Sequence, residues 1–236
     1  MNKTKIEWTD FTYNPISGCS KRCFYCYAWR LAKGRLRKFY LSNPNVAPGC
    51  DPDDPFSPRF WPGRLDEPCT LRRPSKIFVC SMAELFDPRV PDEWIEEVLA
   101  VARFCERHTF QFLTKQPQRA AQFDFPSNAW VGVTATDDFM ESNVTIARLR
   151  AIQAPVRFIS YEPLLDAIPS VPCWVNWIII GAMTGPGAIK PEPEWVQHLI
   201  DLADAAGIPV FLKDNLGWKE PRREWPTPKE DYREAH

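Results

Sequence analysis

Six short runs of β-branched and aromatic residues, each bounded by turn formers, restrict the possible folds of this chain more than anything else in it. They are Lys76-Ile-Phe-Val-Cys80, Phe110-Gln-Phe-Leu113, Trp130-Val-Gly-Val133, Val156-Arg-Phe-Ile-Ser160, Trp177-Ile-Ile-Ile-Gly181 and Pro209-Val-Phe-Leu-Lys213. Nearly continuous apolar runs of this length suit parallel strands buried on both faces. The segments between them carry helical periodicity instead. Trp94, Ile95, Val98, Leu99, Ala102 and Cys105 recur at helix spacing behind Asp92, the expected N-cap. Trp195, Val196, Leu199, Ile200 and Ala203 form a second such stripe, which Gly207 stops before Pro209 opens the next strand. Strands that alternate with helices pair in parallel through right-handed crossovers, which curl the sheet. The fold class predicted is α/β: a partial, TIM-like parallel barrel of about six to seven strands, with residues 14–18 as the first.

The 236 residues suit one enzyme-sized domain, here residues 1–216, followed by a polar tail at 217–236 that is expected to dock loosely or fray. Proline, with 24 residues, is about twice its usual ~5 % share. Many of these prolines fall in a basic, aromatic insertion at about 35–75. It is too apolar for a linker and is expected to cover the site. No run approaches the ~18 apolar residues of a membrane span, and the N-terminus lacks a secretory apolar core. A cytoplasmic protein with no membrane partner is therefore expected, its eight cysteines reduced.

Three of those cysteines, Cys19, Cys23 and Cys26, fall within eight residues. Three thiolates on one loop can hold a metal centre and leave one position open for a ligand. A plain buried segment is the alternative, against which Lys21, Arg22, Tyr25 and Tyr27 argue. A zinc site is another. It needs a fourth ligand, from Cys50, Cys69, Cys80, Cys105, Cys173 or one of the histidines at 108, 198 and 236.

The Cys-x3-Cys-x2-Cys spacing, with aromatic Tyr25 before the last Cys, resembles the signature of the radical S-adenosylmethionine superfamily. More of the chain resembles a small phage- and prophage-associated branch of unknown substrate. Its hallmarks are similar to Ile6–Asp10, Thr12–Pro15, Phe78–Met82, Phe110–Lys115, Trp130–Val133, Arg157–Leu164 and Trp177–Gly181. Where that branch reads Gly-Gly-Glu-Ser-Gly-Pro, this chain reads Gly181-Ala-Met-Thr-Gly-Pro186, so a carboxylate is lost at Met183. The resemblance implies a [4Fe-4S] cluster on Cys19, Cys23 and Cys26 whose open iron chelates S-adenosylmethionine. It further implies reductive cleavage to a 5′-deoxyadenosyl radical that abstracts hydrogen from a substrate, and an electron donor such as a flavodoxin or ferredoxin.

In a barrel the site lies at the carboxyl ends of the strands, where Ser81, Glu84, Thr114, Lys115, Ser160, Glu162 and Gly181 are expected beside the cysteine loop. With S-adenosylmethionine as cofactor, Glu84 and Lys115 suit its ammonium and carboxylate. Ser81, Thr114 and Ser160 suit its carboxylate or ribose, Tyr25 its adenine face, and Gly181 a close backbone approach to the adenine. Hydroxyls at strand ends also cap helices, and Glu162 before Pro163 also suits a turn. Residues 1–76 carry 14 basic against 7 acidic groups, residues 77–236 15 against 23. Arg30, Lys33, Arg35, Arg37 and Lys38 before Phe39 and Tyr40, with Arg59, Phe60, Trp61 and Arg64, suit a nucleic acid or nucleotide substrate. They equally suit a solvated face with a packed lid. Two functional classes follow: a radical enzyme, and a non-enzymatic nucleic-acid-binding module built on zinc or an iron–sulfur centre.

Overall fold

All six apolar runs are strands in the computed structural model, which describes residues 1–137, 140–230 and 232. The chain divides into two compact units, Met1–Thr114 with Phe125–Ala129, and Lys115–Asp124 with Trp130–His236. The last residues of the expected tail lie outside the described residues. The fold is α/β: among the described residues eight strands, four in each unit, belong to a mostly parallel sheet, and two more form a separate antiparallel pair.

The first unit holds strands β1 (Asn2–Lys3), β2 (Phe11–Tyr13), β3 (Ile16–Ser17), β4 (Arg59–Phe60), β5 (Lys76–Val79) and β6 (Thr109–Thr114). Its helices are α1 (Tyr27–Lys33), α2 (Arg37–Leu41) and α3 (Asp92–Phe104). The sheet order is β1-β2-β5-β6, with only β1 antiparallel. The expected first strand at 14–18 is corrected: Phe11–Tyr13 pairs in parallel with β5, while Ile16–Ser17 leaves to pair antiparallel with β4. Pro15 has no N–H to donate, and the Asn14 side chain accepts from the Met82 N–H at 3.0 Å, so the run breaks there. α3 begins one residue earlier than the expected cap allows. Asp92 is its first residue and Pro91 its N-cap.

The insertion is ordered around one buried guanidinium. Arg59, 1 % exposed, donates to the carbonyls of Asn43 (3.0 Å), Pro52 (2.5 Å) and Asp54 (2.9 Å). Several of its basic and aromatic residues pack on one another. Phe39 stacks on Trp61 at 4.8 Å, and the Arg64 guanidinium lies 4.3 Å from the Trp61 ring centre.

The second unit holds β7 (Ala129–Thr134), β8 (Val156–Tyr161), β9 (Trp177–Ile180) and β10 (Val210–Leu212), paired in parallel in chain order. Its helices are α4 (Pro117–Ala120), α5 (Met140–Leu149) and α6 (Pro193–Ala206). As the sequence predicts, α6 ends on Gly207 in the left-handed conformation, φ 65°. Register sets what shares a face here. Gly132 sits opposite Phe158, Phe158 opposite Trp177, and Ile179 opposite both Ser160 and Phe211. A Cβ on Gly132 would lie 2.5 Å from the Phe158 ring, so glycine is what lets that ring cross β7. Trp177 contacts Trp130 (5.8 Å), Phe158 (5.5 Å), Phe211 (6.0 Å) and Trp225 (5.3 Å), forming an aromatic floor near the start of the strands.

Trp225 comes from the tail, whose described part bonds to the strands of this unit. The Leu212 N–H donates to the Arg222 carbonyl (2.9 Å), and the Val210 N–H to the Glu224 carboxylate (2.8 Å). The Trp177 indole donates to the Glu224 carbonyl (2.9 Å), and the Lys229 N–H to that of Pro155 (3.0 Å). No helix among the described residues is long and apolar enough to cross a membrane.

Candidate functional site

The cysteine loop leaves β3 through Gly18, whose φ of 92° and close approach to the Ser57 carbonyl admit no side chain. The Cys19 N–H donates to the Phe56 carbonyl at 2.9 Å, and the Gly18 N–H to that of Met82 at 3.0 Å, so the loop is pinned on two sides. Its sulfurs then serve the local backbone. Cys19 Sγ accepts from the Lys21 N–H (3.2 Å), and Cys26 Sγ caps α1 by accepting from the Trp29 N–H (3.3 Å). Burial, followed by the charges of Glu84 and Asp87, pushes the Cys19 thiol far above its ordinary range and keeps it protonated.

Among the described residues, no group of three or more His, Cys, Asp or Glu side chains is arranged to hold a metal ion. That finding overturns the expected [4Fe-4S] cluster on Cys19, Cys23 and Cys26 and the S-adenosylmethionine it was to bind. The radical enzyme goes with them, as do its flavodoxin or ferredoxin donor, its nucleic acid or nucleotide substrate, and the phage-associated label that came with the resemblance. The zinc or iron–sulfur nucleic-acid-binding module needs the same donor set and is corrected on the same ground.

The remaining predicted residues fall into separate groups. In the first unit Tyr25 stands edge-on to Phe24 at 5.1 Å. Ser81 donates to Asn14 Oδ1 (3.2 Å), and its carbonyl accepts from the Tyr27 hydroxyl. Glu84 Oε1 accepts from the Thr114 hydroxyl (2.6 Å) and the Phe86 N–H (3.2 Å), both carboxylate and hydroxyl being buried. Sequence reasoning missed Asn14 and Asp87. Asp87, 1 % exposed, accepts from the Ser20 N–H (2.6 Å) and the Arg89 N–H (3.0 Å). An Asp before Pro88 was the available signal, a common turn-forming pair. Lys115 opens the second unit.

In the second unit, the carboxyl ends of three neighbouring strands bring Ser160, Glu162, Gly181 and Lys213 to one face. Side chains alternate, so Ser160 and Glu162 follow Phe158, Gly181 follows Ile179, and Lys213 follows Phe211. Glu162 and Lys213 form an ion pair across the end of β9, with side chains 23 % and 14 % exposed. Gly181 makes that crossing possible. A Cβ there would lie 3.0 Å from Lys213 Cδ and 3.1 Å from Glu162 Cγ and Cδ. The space expected to admit an adenine is taken by these two side chains. The neighbouring Asn215 amide locks the end of β9, accepting from the Ala182 N–H (3.0 Å) and donating to its carbonyl (2.8 Å). Ser160, 1 % exposed, has a buried hydroxyl with no hydrogen-bond partner, and so does Tyr161.

The strand face that carries the Glu162–Lys213 pair thus also holds a buried hydroxyl without a partner, that of Ser160. No curated protein and no solved structure matches the chain. A family described as "Protein of unknown function (DUF5131)" matches residues 3–234. Because that match covers nearly the whole length, the chain belongs to the DUF5131 family.

Proposed function

We propose that this protein binds a small hydroxylated carboxylate at the carboxyl ends of β8, β9 and β10. The observation that carries the reading is the unpartnered, buried Ser160 hydroxyl on the same face as the Glu162–Lys213 pair. Lys213 offers a cation to the ligand carboxylate, Glu162 accepts from its hydroxyls, and Ser160 completes the set. Crevices outside the carboxyl ends of parallel strands are the usual ligand sites of α/β folds, which favours this place over others.

The partial TIM-like barrel over residues 1–216, with its insertion at about 35–75, belongs to the same reading, supported by the helical crossovers that join the parallel strands. So does residence in the cytoplasm, supported by the reduced cysteines. Kinship of the Cys19–Cys26 loop with the radical S-adenosylmethionine signature enters as a proposal about descent alone, supported by its cysteine spacing, and carries no chemistry.

Calorimetric titration with gluconate and lactate, and with glycerol as the uncharged control, tests the binding. Saturable binding of a hydroxy acid that falls at least ~10-fold in Lys213→Met and in Ser160→Ala is expected, a factor worth one hydrogen-bonded contact to a charged group. Equal binding by wild type and Lys213→Met, or none by the wild type, ends the reading.

A further inference from the structure

We propose that Arg223, in the tail, is a positioning residue that holds Lys213 beside Glu162, an inference that rests on the hydroxy-acid reading for what the held lysine then binds. β10 is the edge strand of the sheet, so β9 supports it from one side. On that side the Lys213 N–H donates to the Ile180 carbonyl (3.0 Å), and its ammonium reaches over Gly181 to Glu162. The tail closes the other side. Arg223 lies antiparallel to β10 and opposite Phe211. Around it the Leu212 N–H donates to the Arg222 carbonyl (2.9 Å), and the Glu224 N–H to that of Val210 (3.1 Å).

Residues opposite one another in an antiparallel pair project to the same face, and Phe211 and Lys213, two apart, share that face. The Arg223 guanidinium lies 4.7 Å from the Phe211 ring centre and forms an ion pair with Asp214. One side chain thus grips the residue two before Lys213 and the residue directly after it. A guanidinium can stack on a ring and donate from its edge at once, which suits both contacts. The grip falls where the chain leaves the strand, since Asp214 opens the 3-10 turn Asp214–Leu216 that ends on Gly217, φ 66°. Arg222 anchors the tail itself by donating to both Asp204 carboxylate oxygens on α6, at 3.0 and 2.9 Å. Arg223 therefore acts from a backbone that is already fixed.

The test follows acetic anhydride labelling of Lys213 in the full-length protein by peptide mass spectrometry, with Lys76 of the first unit as the internal reference. Lys213 should label slowly in the wild type, its side chain being 14 % exposed and ion-paired. In Arg223→Met its labelling should accelerate roughly 3- to 10-fold, the combined worth of a cation–π contact and a partly solvated ion pair. Asp214→Asn removes the ion pair alone and should accelerate it about 2-fold. Arg223→Lys keeps a cation for both contacts and should restore slow labelling. Gluconate affinity in calorimetry should fall in Arg223→Met and recover in Arg223→Lys. Unchanged Lys213 labelling in Arg223→Met overturns the proposal, and so does an equal acceleration at Lys76, which would mark a general loosening. Accelerated Lys213 labelling in a protein whose wild type binds no hydroxy acid supports the positioning role and ends the ligand reading instead.

Discussion

The Cys19–Cys26 loop of the first unit and the strand ends of the second invite comparison because each gathers side chains able to do chemistry. In the loop, spacing along the chain is conspicuous, yet Cys19 and Cys26 direct their sulfurs at backbone N–H groups two and three residues on. At the strand ends the sequence marks Ser160, Glu162 and Gly181 but not what they bond to. Even so, residues 51 positions apart, Glu162 and Lys213, meet over Gly181, and a buried hydroxyl beside them is left unpartnered. Local density of reactive residues is thus a poor guide to what a site does, because nearby backbone groups compete for the same atoms. Register across parallel strands is a better one.

The severest test of this contrast removes the floor beneath the strand ends. Trp177→Ala should cost about 3–5 kcal/mol in urea denaturation, since a fully buried indole and its aromatic contacts are lost. A cost below ~1 kcal/mol would mean that the aromatic cluster does not support the strands as a rigid base.

Next in size is Gly18→Ala, expected to cost about 2–3 kcal/mol by the same measurement. The positive φ and the Cβ position 2.4 Å from the Ser57 carbonyl both oppose a side chain. A neutral result would release the loop from its two-sided pinning.

Smaller again is the cap of α1. Cys26→Ala should lose about 0.5–2 kcal/mol, while Cys26→Ser, a better N-cap oxygen, should be as stable as the wild type or more so. A Cys26→Ser variant that is much less stable than Cys26→Ala would show that the sulfur does more than cap a helix.

The least effect on folding belongs to Glu162→Gln, which should change stability by under ~1 kcal/mol because its ion pair is partly solvated. The same change should weaken hydroxy-acid binding in the calorimetric titration. A large loss of stability without a loss of binding would turn the strand-end cluster into a structural element.

Much of the fold was legible in the residues. The apolar runs at 76–80, 110–113, 130–133, 156–160, 177–181 and 209–213 all became strands, because a segment without a polar face has to be buried on both sides. Gly207 marked the end of α6 for a local reason, the left-handed conformation it alone adopts cheaply. The first strand was misplaced by a few residues because the edge pairing of Ile16–Ser17 with Arg59–Phe60 depends on a partner more than 40 positions away.

The site divides along the same line. The sequence by itself determined which segments would be buried strands and helices, since hydrophobic period and turn chemistry act over a few residues. Only the tertiary structure decided what the thiols bond to and that Glu162 pairs with Lys213 over Gly181 on the face of Ser160. Those outcomes rest on distances between strands remote in the chain, and on competition between side-chain and backbone partners that no single segment contains.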